Sequence, residues 1–575
     1  MVDLHLDVSA PHQHQVAVSL RVRPHHRVMR LRLPGWTPGS YLMRDYVRHL
    51  EELTVEQQGR LLPCRRLEPA CWLVEPDPQA GELLIRYRVM ATELSVRTCH
   101  LDGDHGFLAL AAVVLEVEGE RWAEHRLSCS LPPRWQAFVP LPQQSDGSWI
   151  ATTFDELVDS PVELGPHREH GFAVGGVAHR WVTWGGAAGA GDWLLQHFPS
   201  LLDDVAQVCH ACCRLMAVEA PPCNGYLFVL HLLDEGYGGL EHNHSTVLVY
   251  GRRALEKPNG YRKFLQLVAH EYLHQWNVRR LRPAELCPID YHQPPVVPSL
   301  WFAEGITSYV DQLLPLSAGL STPDQLLEDL GEDLSRFLLT PGRSVQSLAA
   351  SSEEAWVKLY RADAYAADSQ VSYYLKGAVV ALCLDLHLRR HGTALAPVLQ
   401  RLWLELGQWQ RGYTEQALIA AFTASAPDLE GLLPSWLHQV DDPDLHGYLQ
   451  EVGLLLQPIV ATIPWAGFTC RPEASGLTAQ RVWRGGPAET AGLMVGDEVL
   501  AIDGQRVRQS DQIGPLLRTD AAQELLISRR SELRSLPLRC AAPRVERYQL
   551  TRDPQASRQA LERQRRWLRL WEAPW

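Results

Sequence analysis

No stretch of the 575-residue chain approaches the roughly 18 consecutive apolar residues that a membrane-spanning helix needs, so no membrane span is expected. The opening residues, MVDLHLDVSAPHQHQ, lack the basic segment followed by an apolar core that marks a secretory signal. An excess of positive charge is missing too. The net charge is −13, which argues against bulk affinity for nucleic acid and makes it no expected partner. The 12 cysteines do not fall into the paired spacing of a zinc ribbon. Their one close group, Cys209, Cys212 and Cys213 in LLDDVAQVCHACCRLM, lies in an apolar helical pattern and reads as buried thiols. Cysteines scattered along a chain without a signal favour reduced thiols and a cytoplasmic location.

Against these absences stands LQLVAHEYLHQWNV, residues 265 to 278. Leu265, Val268, Ala269, Tyr272, Leu273 and Trp276 recur at helical period and predict a buried stripe. Beside it, His270 and His274 are four residues apart, so on a helix they sit one above the other. Two imidazoles so placed can hold a Zn²⁺, and Glu271 next to the first can take a proton from a water that the metal activates. The pattern alone also fits a polar edge on a core helix, so a third ligand is needed. Downstream, WFAEGITSYV offers Glu304, after a loop containing Pro288, Pro294, Pro295 and Pro298 that forbids one continuous helix. A Glu there completes a His₂Glu set with a position left open for water.

The length suits several domains. From residue 1 to about 165, Val2, Leu4, Leu6 and Val8 alternate, as do Val16 to Val22, Met29 to Leu33 and Ile85 to Val89. This period of two predicts antiparallel strands with one wet face. Among them PGWTPGSYLMRDYVRHL reads as a shaped loop, with Tyr41, Arg44, Asp45 and Arg48 either structuring it or facing a cleft. From 166 to about 455 the pattern mixes helices with buried strands. Residues 192 to 217 read as helical and YLFVLHLL as a buried strand. In DEGYGGLEHNHSTVLVY the glycines Gly236, Gly238 and Gly239 let the backbone turn sharply or approach a ligand. Glu241 then reads equally as a carboxylate that holds a cation, such as a substrate amine, or as one exposed on an edge strand. Further on, SYYLKGAVVALCLDLHLRR predicts an apolar helix opened by Tyr373 and Tyr374, which are either core residues or donors to a developing oxyanion. Residues 456 to 575 begin with AGFTC and continue as strand, Gly-Gly-Pro turn, short helix, strand, Asp-Gly hairpin and strand. They end in a basic helix bearing Leu561, Trp567, Leu568 and Trp571, expected to pack on its own protein rather than on a membrane surface.

Taken in order, PGWTPGSYLMRDYVRHL, GGLEHNHS, HEYLHQWNVRRLRP, WFAEGITSYV, SYYLKGAVVALCLDLHLR and a C-terminal segment similar to a PDZ domain resemble the glycyl aminopeptidase family of thermolysin-like zinc metallopeptidases. The resemblance implies a multidomain α+β chain. Its parts are an N-terminal antiparallel β domain (1–165), a thermolysin-like peptidase domain with a helical part (166–455) and a PDZ-like domain with a helical tail (456–575). It implies one Zn²⁺ per chain on His270, His274 and Glu304, with Glu271 as general base. GGLEH resembles the Gly-Ala-Met-Glu-Asn element of aminopeptidase N, which assigns Glu241, beside Gly239, to the substrate's α-amine. YLKG resembles that enzyme's Tyr-Glu-Lys-Gly element, which assigns Tyr374 to the oxyanion, with Tyr373 as fallback. Relatives often carry an Asp four residues after the third ligand. Here that position is Ser308, and Asp311 is one turn further. The implied substrates are peptides with a free N-terminus, with small first residues, Gly or Ala. The implied PDZ partner is a peptide C-terminus, met by backbone N–H groups near Ala466, Gly467 and Phe468. Two other functions fit the same residues: a zinc endopeptidase, and a non-catalytic peptide-binding scaffold.

Overall fold

The computed structural model describes residues 1–185, 193–474 and 476–570, so Trp571 lies outside the described residues. The chain divides into two compact units. One comprises Met1–Val297, Val310–Ser321 and Leu395–Ala421, and the other Pro298–Tyr309, Thr322–Ala394 and Phe422–Trp575.

The first unit opens with β structure. Its seven-stranded sheet is centred on Val2–Asp7, Gln15–Val22 and Leu83–Met90, where the alternating apolar residues are the buried ones. One pairing departs from the antiparallel expectation: Val2–Asp7 runs parallel to His125–Ser130. Period two reports which face is wet, not strand direction, and these strands are separated by most of the domain. A five-stranded sheet follows, in the order Glu169–Val174, Val177–Gly185, Tyr226–Leu233, Ser245–Gly251, Tyr237–Glu241. Its three inner strands are parallel, and Tyr226–Leu233 between the other two is buried along nearly its whole length, which is why YLFVLHLL is apolar except at His231. The strand Tyr237–Glu241 lies antiparallel at the edge. Residues 193–217 form two helices, Trp193–His197 and Leu201–Leu215, and Cys209, Cys212 and Cys213 are buried in the second.

The second unit is mainly helical, and its longest helix is Tyr373–Arg390. By length and composition alone a segment including this helix passes as a membrane span, but most of it is buried in protein. Its buried charges are paired: Arg389 Nε lies 3.1 Å from Asp385 Oδ1, and the Tyr309 hydroxyl donates to Asp385 Oδ2 at 2.8 Å. The C-terminal helix Arg558–Trp567 completes this core. Trp567 is fully buried and its indole N–H donates to the Tyr309 hydroxyl at 2.8 Å, while Arg389 donates to the Arg566 carbonyl at 3.2 Å.

Ahead of that helix, Leu454–Val460 and Val545–Arg552 form an antiparallel pair, and Ala461 N–H donates to the Arg544 carbonyl at 2.9 Å. The residues between are an inserted module with a core of its own, including Leu477, Val499, Ile502, Leu525 and Ile527. Its elements follow the expected order: strand Gly476–Val482, helix Pro487–Ala491, strand Glu498–Ile502 and a hairpin to Gln505–Arg506. The hairpin turns on Asp503 and Gly504 at φ 48° and 74°, the positive values that a two-residue hairpin demands.

Candidate metal centre and substrate site

The motif helix runs from Gly260 to Leu273, with His274 as its cap residue. It ends before the expected Trp276, although Trp276 is fully buried. The chain loosens there: the N–H groups of Arg279 and Leu281 reach back five residues, to the His274 and Trp276 carbonyls. The His274 side chain takes part in this turn, its Nδ1 lying 2.7 Å from the Asn277 carbonyl. His270 Nδ1 lies 2.8 Å from Asp311 Oδ2. A carbonyl and a carboxylate can only accept, so each Nδ1 carries the proton and each Nε2 the lone pair. The two rings are 4.6 Å apart and perpendicular. This is how metal-binding histidines are oriented: the far nitrogen donates, and the near one becomes a better ligand. The donor set therefore fits zinc, and the partner left open between Ser308 and Asp311 is Asp311.

Two glycines seat the carboxylates of the site. Glu271 is buried, and its side chain lies over Gly239, where a Cβ would come within 2.0 Å of Oε1. Gly239 is thus needed because the edge strand passes directly beneath Glu271. Glu241, only 3% exposed, lies over Gly39, where a Cβ would come within 2.4 Å of both carboxylate oxygens. Gly39 has φ +86° and Ser40 N–H donates to the Thr37 carbonyl at 3.1 Å. Pro38 followed by a positive-φ glycine is the signature of a type II turn. The turn of PGWTPGSY thus forms the bed of Glu241, while Arg44 structures the loop itself by donating to the Ser40 hydroxyl at 3.0 Å. Trp36 and Gly35 tie the loop down through the carbonyls of Asp290 and Tyr291. Ligand atoms of Glu241, Glu271 and His274 lie within 4.8 Å of one another. Two buried carboxylates this close create a strong preference for a cation beside them.

A second group was not singled out from the sequence. Asp159, in the turn before strand Val162–Gly165, accepts from His242 at 3.0 Å, from Asn243 N–H at 2.8 Å and from Arg279 at 2.7 Å. Burial pushes its carboxyl up, and Arg279 and His242 together pull it further down, to about 2. An ionised Asp159 thus ties the end of the edge strand to the turn that follows the motif helix. Its signal was the paired Arg279-Arg280 directly after the motif, charges too close to a buried helix to be surface residues.

The remaining residues singled out from the sequence lie in the second unit. Glu304 is 2% exposed and lies in a π-helical turn, Trp301–Gly305, that continues into the helix Ile306–Ser317. Such turns recur at functional sites. Asp311 stands about two turns further along the same helical run. A Cβ on Gly305 would come within 2.5 Å of Gly377 Cα, so this turn and the helix Tyr373–Arg390 meet glycine on glycine. That contact accounts for the glycines of both WFAEG and YLKG. Tyr373 is fully buried and stacked on Tyr374 at 4.7 Å, whereas Tyr374 is partly exposed, with its hydroxyl 3.2 Å from that of Tyr360. In the inserted module, Ala466 to Phe468 lead into the strand Phe468–Glu473 at the sheet edge. Gly467 has φ +78° and its carbonyl accepts from Trp483 N–H at 2.9 Å.

Three family models match the chain: the Peptidase M61 N-terminal domain over residues 3–166, M61 glycyl aminopeptidase over 263–380 and a PDZ domain over 480–530. Among solved structures, an aminopeptidase N family protein from Idiomarina loihiensis is 29% identical. The match covers 98% of this chain and 99% of that one, with a TM-score of 0.91. An M1 zinc metallopeptidase from Deinococcus radiodurans is 15% identical over 77% of this chain and 94% of its own, with a TM-score of 0.48. No curated protein matches the chain.

Proposed function

The chain belongs to the M61 glycyl aminopeptidase family of metallopeptidases, and from that premise we propose that it releases single small residues, Gly or Ala, from the free N-termini of peptides. The observation that carries this reading is the carboxylate of Glu241. It is buried, bedded on Gly39, and within 4.8 Å of Glu271 and His274. An endopeptidase has no use for a desolvated carboxylate beside its base, whereas an aminopeptidase needs one to hold the substrate's ammonium.

His270, His274 and Glu304 would hold one zinc ion, which when bound supplies Lewis-acid activation of a water and of the scissile carbonyl. Glu304 is supported by its place on the helical run whose Asp311 orients His270. Glu271 takes the proton of the attacking water and returns it to the leaving amine. Gly239 keeps the edge strand close enough to fix that carboxylate. Glu241 sets the register by binding the α-ammonium. Tyr374 donates to the oxyanion, a role that its partial exposure favours over the enclosed Tyr373. The preference for Gly and Ala is carried over from the family. A cytoplasmic location belongs to the same reading, supported by twelve cysteines that are all free thiols. The PDZ part would receive a peptide C-terminus at Ala466–Phe468, with strand addition along Phe468–Glu473.

The test is kcat/KM for a matched pair, a free and an N-acetylated alanyl peptide. Blocking the amine leaves Glu241 desolvated without a partner, at about 1–3 kcal/mol, which corresponds to a preference of roughly 5-fold to 150-fold for the free terminus. Glu241→Ala should retain zinc, lose most activity on the free peptide and narrow that gap. Equal cleavage of the pair by the wild-type protein would make the enzyme an endopeptidase. An unchanged gap in the variant would move the amine site elsewhere.

A further inference from the structure

The first unit holds a second group of histidines and carboxylates, remote in sequence from the motif. His105 precedes the strand Gly106–Leu108, which pairs antiparallel with Val162–Gly165, the strand that carries Glu163. His231 lies on the inner strand Tyr226–Leu233 of the peptidase sheet. All three residues are 0% exposed, and one ligand atom from each lies within 4.8 Å of the others. Glu163 is gripped from both sides. His231 Nε2 lies 2.9 Å from its Oε2, and His167 Nε2 lies 2.9 Å from its Oε1, close enough for an ion pair though not aligned as a hydrogen bond. His105 stacks on Trp184 with ring centroids 3.6 Å apart and meets His231 edge-on at 5.5 Å. Neither ring nitrogen of His105 has a hydrogen-bond partner among the described residues, nor has Nδ1 of His231.

A fully buried imidazole with both nitrogens unsatisfied is costly, and such groups call for a specific explanation. Stacking alone does not supply one, because a phenylalanine would fill the place against Trp184 without the cost. We propose that His105, Glu163 and His231 form a second Zn²⁺ site, its fourth position taken by water, that fastens the N-terminal β domain to the peptidase sheet. The donors suit that ion: imidazole with carboxylate is a zinc-type set, whereas calcium and magnesium call for oxygen ligands throughout. The ion also answers the charge problem of Glu163, a carboxylate closed off from water. His105 also belongs to a second triad with His100 and Asp102, whose ligand atoms again lie within 4.8 Å and whose side chains are 17% and 33% exposed. His105 is the member that the two triads share, so it links the buried donors to partly exposed ones. The strand bearing His231 pairs with Ser245–Gly251, which in turn pairs with the edge strand of Glu241, so the clamp would steady the floor of the substrate site.

The experiment measures zinc bound per full-length chain, by mass spectrometry and by Zn²⁺ titration with chelator competition. The parent is His270→Ala/His274→Ala, which empties the motif site. That parent should keep one zinc ion and melt at a higher temperature with zinc than without. Adding His105→Phe, which preserves the stack on Trp184, should abolish both the ion and the zinc-dependent shift. The single variant His105→Phe should lose one of the wild type's two ions and remain an active peptidase. Should His105→Phe fail to fold, Glu163→Gln is read by the same titration. A parent that binds no zinc at micromolar free metal overturns the proposal, as does a His105→Phe or Glu163→Gln protein that binds as much as its parent. Because the motif site is already empty in the parent, these outcomes are independent of whether the aminopeptidase reading holds.

Discussion

The two histidine-and-carboxylate groups of the first unit are built in opposite ways. His270 and His274 come from successive turns of one helix, and each ring is turned by a protein acceptor at its far nitrogen, Asp311 for one and the Asn277 carbonyl for the other. His105, Glu163 and His231 come from separate segments, and the His105 ring is set by burial and by ring contacts with Trp184, His100 and His231, with no hydrogen bond to either of its nitrogens among the described residues. A centre at which water and substrate come and go must keep its ligands aimed when neither is there, so their orientation is fixed from outside. A closed site has no such need, because the ion itself can do the orienting.

Five altered proteins break or sharpen this contrast. The largest effect is expected from Glu304→Ala, which should strip zinc from the motif site and bring peptide hydrolysis down to background, while the ion of the second group stays. Full zinc and normal turnover would remove Glu304 from the ligand set. Glu271→Gln comes next. It should lower kcat by about 10²–10⁴, the usual size of a general acid–base contribution, with metal content unchanged. Wild-type turnover in the metallated variant would exclude Glu271 as base. Asp311→Asn tests outside orientation directly. Zinc affinity at the motif site should weaken by about 10–100-fold, measured by chelator competition, with none lost at the second group. If affinity is untouched, Asp311 does not orient His270 in any way that matters to the metal.

The smallest effect concerns the inserted module. Replacing residues 462–543 by a short Gly-Ser turn joins ends that already touch at Ala461 and Arg544, and should leave turnover of a dipeptide nearly unchanged. Ending the chain at Arg544 also removes Val545–Arg552 and Trp567, and should unfold the second unit in a circular dichroism melt. Equal stability of the two proteins would show that the C-terminal strand and helix are dispensable.

How much of this was legible follows from how local each feature is. The strands of the N-terminal domain, the Asp503-Gly504 hairpin and the motif helix each rest on a short-range period or turn signal, and each could be read. The end of the motif helix could not, because the apolar stripe continues to Trp276 while the backbone has already left the α conformation. The choice between Ser308 and Asp311 depended on a count of four along an α-helix. Positions four and seven along a helix share one face, so spacing alone could not choose between them. That Glu241 is buried rather than exposed on its edge strand could not be read, because the Gly39 that covers it lies in a different domain of the sequence. The Asp159 network and the His105 group are assembled from distant segments with no spacing to recognise. The insertion was hidden for a related reason: Leu454–Val460 and Val545–Arg552 are ordinary strands, and only their pairing shows that the chain leaves the helical unit and comes back.

That return has a consequence for the order in which the enzyme is made. The segments that fill the core around Tyr309 and Arg389, Val545–Arg552 and the helix ending at Trp567, leave the ribosome only after the whole PDZ module has been synthesised. A chain ended before Val545 lacks those segments, so the packing around Tyr309 and Arg389 can form only after nearly all of the second unit has been synthesised.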